Sequence, residues 1–399
     1  MIVRPAALLQ DMARMDPDAW RLLEELLHLG PDWVAATDRS GVFPSSLWRT
    51  DVACFYNRLN LPVEYGGTPL TGSAVRRAAL FERIGAFCPG VLIGLPGPGL
   101  SMPPVLFLGT DAQKHAYFGR FTSADRPIWG AFAITEPQGG SDATAMRTTA
   151  RPVADGYVIS GTKCFITNGG RADSFVVFAT LGRDKGRFGI RAFMVDAATP
   201  GLSVDRREDM LGLRASQLTS ISFNECHVPK EHMLGHTGKR GPLVDAFTGA
   251  QGAWDYMRPA LAACINGACT GILDHADALI GDADCGLARA QRAQASDEIE
   301  RLRAELLSSR LLALRAAWIY DNGRPAALHA SMAKAAASTL AMRIAMSLNR
   351  LFPLAALRRG DPIEKFYRDA KAFDILEGTG DMQRLMIARA FPGAAFGRP

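Results

Sequence analysis

The chain has 399 residues, 48% of them hydrophobic and 21% charged, and a formal net charge of +5. That length allows two or three domains or subdomains with sizeable cores. The mild charge, with no long Lys/Arg tract interleaved with aromatics, excludes a nucleic-acid-binding design. No apolar run reaches about 18 residues, so no transmembrane span is expected. No basic segment followed by an apolar core opens the chain, so no signal peptide is expected. Seven cysteines without a Cys-x-x-Cys pair suit free thiols in a reducing, cytoplasmic setting. His232 and His236 are four apart but flank Gly235 in a loop-like context, so no metal site is expected.

Residues 1 to about 128 carry helical spacing. Trp20, Leu23, Leu26 and Leu27 share one face of a predicted helix over 18–27. Phe43-Pro44-Ser45-Ser46-Leu47-Trp48 predicts a helix start with proline in its first turn. A loop over 61–67 precedes helical spacing over 74–87, with Val75, Leu80 and Ile84 apolar. Gly109 stops one helix, and Thr110-Asp111 start the next.

From about 129 to 236 the period becomes two. Strands are predicted at Gly156–Gly161, Ser174–Phe178, Ile190–Val195 and Thr219–Asn224, separated by Gly, Pro, Asp and Asn turns. This pattern predicts a compact antiparallel β domain, a barrel or sandwich.

From about 237 onward helical spacing returns. Ser296-Asp297, with Glu300 three residues later, predict a helix start. Leu302, Leu306, Leu307, Leu311, Leu314 and Trp318 then form a wide apolar stripe, ended by Asn322-Gly323. A further helix over 326–352 carries Leu340, Ile344, Leu348 and Leu351. Long amphipathic helices joined by short loops predict a bundle. Part of so wide a stripe is a candidate oligomer interface.

Three strings carry the chemistry. The first, Phe132-Ala-Ile-Thr-Glu-Pro-Gln-Gly-Gly-Ser-Asp142, joins a strand-like run to a turn. Its glycines let backbone approach a ligand, and Thr135 and Ser141 add hydroxyls. The second, Gly161-Thr-Lys-Cys-Phe-Ile-Thr-Asn-Gly-Gly170, places an aromatic and a hydroxyl before a tight Asn-Gly turn. The third, Arg368-Asp-Ala-Lys-Ala-Phe-Asp-Ile-Leu-Glu-Gly-Thr-Gly-Asp-Met-Gln-Arg384, sets Glu377 before a glycine that can leave it projecting into a cleft. Alone, each is an ordinary turn or helix end.

Together the strings resemble the flavin-binding and catalytic-base segments of the acyl-CoA dehydrogenase family, and the likeness extends over roughly residues 40 to 390. The resemblance implies a mainly α fold with an inserted β domain. Its parts would be an N-terminal α-helical domain (1–128), a central antiparallel β-barrel or sandwich (129–236) and a C-terminal four-helix bundle (237–399). It implies FAD, held by Phe132, Ile134, Thr135, Gly140, Ser141, Phe165, Ile166, Thr167 and Thr379. Glu377 takes the place of the catalytic base, and Ser141, Asp255, Arg258 and Gly378 those of substrate contacts. The reaction implied is α,β-desaturation of an acyl thioester, carried on CoA or on an acyl carrier protein. The base removes the α proton while hydride passes to flavin N5. The α carbon is a weak acid, so the base needs a raised pKa, which a dry pocket supplies. Donors to the thioester oxygen contribute roughly 3 kcal/mol each, the amide of Glu377 being one. Glu136 is read as structural.

The sequence also departs from the family pattern. Phe165 stands where tryptophan is usual, which keeps stacking and loses the indole donor. Met257 occupies an alternative base position and cannot take a proton. Asp282-Ala-Asp-Cys-Gly286 lacks the usual Arg and Phe, Arg350-Leu-Phe-Pro-Leu-Ala-Ala356 replaces a Gln-rich double-glycine segment, and Asp381 replaces a polar contact. Arg350, Arg358 or Arg359 are substitutes for the pyrophosphate contacts. These departures suggest a specialised branch, such as one acting on carrier-bound thioesters in secondary metabolism. Expected partners are an electron-transfer flavoprotein or another acceptor, and copies of the chain in a homodimer or homotetramer. Two alternatives stay open: a flavin oxidase or N-oxygenase on the same fold, and a non-catalytic binding subunit.

Overall fold

The computed structural model describes residues 5–43, 50–235, 246–282 and 287–391. The predicted helix start at Pro44–Trp48, His236 and most of the acidic segment ending at Gly286 lie outside these. Among the described residues, eight helices precede the sheet: α1 (Pro5–Met15), α2 (Pro17–Leu27), α3 (Pro31–Ser40), α4 (Thr50–Leu59), α5 (Ala74–Phe87), α6 (Pro89–Gly94), α7 (Met102–Leu108) and α8 (Asp111–Ser123). Local chemistry sets their starts. The Asp16 carboxylate accepts from Ala19 N at 3.1 Å at the head of α2, with Pro17 behind it. Thr110 and Gln113 form a capping box at α8, at 3.3 and 2.9 Å. Leu23 and Leu26 are buried, whereas Trp20 and Leu27 pack at the edge of the core.

The strands are β1 (Gly130–Ala133), β2 (Thr149–Val153), β3 (Gly156–Ile166), β4 (Ser174–Thr180), β5 (Ile190–Asp196), β6 (Leu202–Arg207) and β7 (Thr219–Pro229). They form one sheet in the order β1-β4-β2-β3-β7-β6, with β5 paired to β4. The sheet is mixed rather than antiparallel. β1 runs parallel to β4 from Gly130↔Ser174 to Ala133↔Val177, and β2 meets β4 in parallel at Thr149↔Thr180. Parallel neighbours need a long connection instead of a hairpin: residues 134–173, which include β2 and β3, join β1 to β4, and β3 with its flanking turns joins β2 to β4. β4 is buried at every position, so its run of apolar residues carries no true alternation. Phe175 and Val177 point into the sheet's own core with Ile159, Phe193, Ile221 and Phe223. Val176 and Phe178 point the other way, into the cluster that contains Leu80, Phe118, Tyr256 and Met257.

Six helices follow: α9 (Ala246–Gly281), α10 (Arg289–Asp321), α11 (Ala327–Leu351), α12 (Pro353–Leu357), α13 (Pro362–Phe373) and α14 (Gly380–Arg389). α10 starts seven residues before the predicted Ser296-Asp297 cap. Gln291 Oε1 accepts from Ala288 N at 2.8 Å there, and strong helix formers carry the helix through Ser296. The apolar stripe of α10 is split. Leu302 and Leu306 are buried in the bundle, whereas Leu307, Leu311 and Trp318 are 54%, 51% and 52% exposed. Gly323, at φ 66°, ends the helix region as predicted.

Candidate active site

The Glu377 turn lies between α13 and α14. Glu377 (φ 51°) and Gly378 (φ 95°) are consecutive left-handed residues. A left-handed glutamate persists only where its surroundings over-determine it. Here they do. Gln383 Nε2 donates to Glu377 O and Gly378 O, both at 3.1 Å. Arg258 Nε donates to Glu377 O at 3.3 Å. Lys334 Nζ donates to Gly378 O at 2.8 Å and to Asp374 O at 3.0 Å. Thr379 then caps α14, accepting from Met382 N at 3.3 Å. Glycine is required at 378, since a Cβ there would meet Gln383 Nε2 at 2.7 Å.

Burial pushes the Glu377 carboxyl up to about 7, and the charges of Arg258 and Lys334 keep it from rising further. The residue keeps some solvent contact, yet Oε2 is buried with no hydrogen-bond partner. Burial lowers the Arg258 pKa, against the pull of Glu377 and Asp255. Arg258 Nη1 lies 3.7 Å from Asp255 Oδ1, so the helix-start ion pair and the contact to the Glu377 turn coexist. Met257 is buried beside them.

The second half of the site is built from the ends of β1 and β3. Thr135 O accepts from Cys164 N at 3.0 Å, joining the first two strings. Beneath them lies a buried ion pair: Lys163 Nζ donates to Glu136 Oε1 at 2.9 Å and to Ile134 O at 3.1 Å. Glu136 also accepts from Arg147 N at 2.7 Å and Thr148 N at 2.8 Å. Its carboxyl is thus fully engaged, in accord with a structural role. Phe165 is left-handed (φ 56°) and presents an exposed ring. Phe132 is half-buried, its ring 5.2 Å from that of Phe178. Thr135 and Thr167 are half-buried, whereas Gly140 and Ser141 sit in an exposed turn beside Gly139, whose Cβ position faces open space. Ile134 and Ile166 are buried in the apolar clusters on either side of the sheet. They therefore offer a ligand mainly backbone.

An open glycine turn, an exposed ring and neighbouring hydroxyls fit a flat, polar-edged ring system. Two links tie this half to the Glu377 half. Phe132 and Ile134 share an apolar cluster with Tyr256 and Met257, next to Arg258. Asn168 N donates to Ser216 O at 2.9 Å, and Leu213 N to Asp369 Oδ1 at 2.6 Å on α13. Glu377, Gly378, Thr379, Arg258 and Asp255 thus form one cluster, joined to the β1 and β3 residues through that apolar cluster and these hydrogen bonds. Arg350, Arg358 and Arg359, the expected pyrophosphate contacts, are exposed, and Asp381 pairs with Arg384 at 3.0 Å. Sequence reasoning missed Lys163, Lys334 and Gln383. The signal for Lys334 was a single cation in the run Ala333-Lys334-Ala335-Ala336-Ala337. Gln383 was visible only as part of the third string.

Comparison with known proteins places this geometry. Models of the N-terminal, middle and C-terminal domains of acyl-CoA dehydrogenase match residues 24–125, 131–226 and 247–391. The short-chain specific acyl-CoA dehydrogenase of Rattus norvegicus mitochondria is 34% identical over 355 residues, 89% of this chain and 84% of the relative. An acyl-CoA dehydrogenase of Bacillus subtilis is 34% identical over 84% of this chain and 86% of its own length. Butyryl-CoA dehydrogenase from Megasphaera elsdenii superposes with a TM-score of 0.83 at 28% identity, covering 96% of this chain and 97% of that one.

Proposed function

The chain belongs to the acyl-CoA dehydrogenase family, and we propose that it catalyses FAD-dependent α,β-desaturation of an acyl thioester with Glu377 as the base. One observation carries this reading: a glutamate held in a clamped left-handed turn, pushed up to about 7, with a buried and unpartnered Oε2. A carboxylate of that strength is near the optimum for taking a proton at neutral pH. Glu377 would take the α proton at Oε2. Its amide N–H meets no backbone carbonyl among the described residues, leaving it available to the thioester oxygen as negative charge develops. Asp255, Arg258, Gly378 and Ser141 would bound the substrate. Phe165 offers a ring for stacking, and Thr135, Ser141, Thr167 and Thr379 offer hydroxyls to the cofactor. Phe132 offers a second ring edge, and Gly140, Ile134 and Ile166 offer backbone. FAD, when bound, supplies the acceptor for the β hydrogen.

The carrier would be CoA or an acyl carrier protein, both acidic at the end that docks. The exposed segment between β4 and β5 supports an acidic carrier. Arg183 and Lys185 there make no ion pair among the described residues, and Arg183 Nη2 reaches Arg147 O at 3.4 Å, beside the first string. The exposed Leu307, Leu311 and Trp318 on α10 support self-association into a homodimer or homotetramer, which light scattering would read. An electron-transfer flavoprotein is the acceptor we propose, and the cytoplasm the location.

The test is to record the purified protein's visible spectrum, then follow flavin bleaching against matched acyl-CoA and acyl-carrier-protein substrates. Glu377→Gln should keep the flavin spectrum and lose desaturation. Full turnover in that variant would remove Glu377 from the mechanism.

A further inference from the structure

Lys334 is a buried cation that the reaction scheme does not use. It lies on α11 with no exposed surface. Among the described residues its ammonium has no carboxylate within ion-pair distance. It is spent on two carbonyls of the turn that carries the base, Gly378 O at 2.8 Å and Asp374 O at 3.0 Å. Burying an ammonium without a carboxylate partner is unfavourable. A neutral donor would satisfy a carbonyl as well, so what the lysine adds is charge, placed one residue from the Glu377 side chain.

We propose that Lys334 is a positioning residue for Glu377, fixing the Asp374–Gly378 turn by its hydrogen bonds and favouring the Glu377 carboxylate by its charge. The catalytic consequence rests on Glu377 being the base; the electrostatic one does not. The groups that face this turn are Asp255, Arg258 and the thiol of Cys264 from α9, Lys334 from α11, Asp374 within the turn, and Arg384 from α14. Arg258 is the other cation beside Glu377, and it is already shared with Asp255. Lys334 has no carboxylate within ion-pair distance among the described residues, and Asp374 and Glu377 are the acids that act on its charge. Burial draws its own pKa down to about 8, against the pull of Asp374 and Glu377.

The test is an infrared pH titration of the protonated Glu377 carbonyl band, assigned by its absence in Glu377→Gln. It is run on the purified flavoprotein without substrate. In Lys334→Met the midpoint should rise by roughly one pH unit, the low end of what an opposite charge at short range produces. Lys334→Arg, which keeps the charge, should return toward the wild-type midpoint. If Lys334→Met does not fold, Lys334→Gln, which keeps a donor, carries the same expectation. An unchanged midpoint in a folded, uncharged variant overturns the proposal. A raised midpoint together with full turnover in Glu377→Gln would leave Lys334's role standing and sink the base assignment instead.

Discussion

Replacing Lys163 alone with methionine is expected to cost about 3–5 kcal/mol of stability, the usual penalty for breaking a buried ion pair. Replacing Lys163 and Glu136 together, with methionine and glutamine, is expected to cost far less. Neither residue is more than 4% exposed, so solvent screening subtracts little. Burial would raise the Glu136 carboxyl, but the Lys163 charge and hydrogen bonds from Thr148, Lys163 and Arg147 outweigh it, taking it from 4.5 to about 2. At about 1.4 kcal/mol per pK unit this favours folding by roughly 3 kcal/mol at neutral pH. Lys163 points the other way. Burial takes its pKa from 10.5 to about 8 in spite of Glu136, which disfavours folding with a charged lysine. Both shifts contain the same Lys163–Glu136 attraction, and removing either partner leaves a buried charge unpaired, so either half alone is costly. The signs also fix the pH dependence. The Glu136 contribution is present above about pH 4.5 and fades as pH falls toward 2. Between about 8 and 10.5 the unfolded chain binds the extra proton at Lys163, so stability rises with pH there. Denaturant midpoints and flavin release at pH 7, for wild type, both single variants and the double variant, read this directly. Because Lys163 also holds Ile134 O, the Lys163 single variant should release flavin sooner. Single variants within about 1 kcal/mol of wild type, or a double variant no better than its parents, would refute the reasoning.

Desaturation should decline as pH falls through about 7, because burial raises Glu377 and its protonation removes the base; a limb in kcat near the ordinary carboxylate value would contradict the dry pocket. Gly378→Ala places a side chain at φ 95° and forces its Cβ to 2.7 Å from Gln383 Nε2. A left-handed alanine costs roughly 1–2 kcal/mol before that clash is counted, so kcat should drop about tenfold or more with flavin content retained. Wild-type kcat in this variant would mean that the turn geometry is irrelevant to turnover.

The helical ends were legible because capping and breaking residues act locally. Thr110 with Gln113, and Gly323, mark boundaries the structure reproduces. The α10 start was misplaced because Ser296-Asp297 resemble a cap, yet the alanine-rich run before them propagates helix, and propensity over a window outweighs one favourable pair. The parallel pairing of β1 with β4 was not legible, since register between strands about forty residues apart leaves no trace in either strand. At the site, Glu377 and the glycine after it were visible as a local anomaly. Its clamps were not, because Lys334, Arg258 and Gln383 meet the turn from three different helices. Part of the α10 stripe is legible as a candidate oligomer interface, but spacing alone does not say which half a neighbouring helix covers.

Two glutamates in this chain show how environment divides one residue type into two roles. Glu136 meets a lysine head-on at 2.9 Å and two backbone amides, and is held at about 2. Such a group cannot accept a proton at neutral pH, and every part of it is already engaged. Glu377 also has two cations nearby, yet neither donates to its carboxylate. Arg258 Nε is directed at Glu377 O, and Lys334 Nζ at Gly378 O and Asp374 O. Burial without these charges would drive the carboxyl toward the 8–9 reached by isolated buried glutamates, too weak a fraction of carboxylate at neutral pH. A direct ion pair would pull it down as at Glu136 and occupy the oxygen that receives the proton in the proposed reaction. Spending the donors on the backbone gives both results at once: the charges bring the carboxyl to about 7, and Oε2 stays free. The left-handed turn is what allows this division, because it turns the carbonyls of residues 377 and 378 toward the helices and leaves Oε2 without a donor.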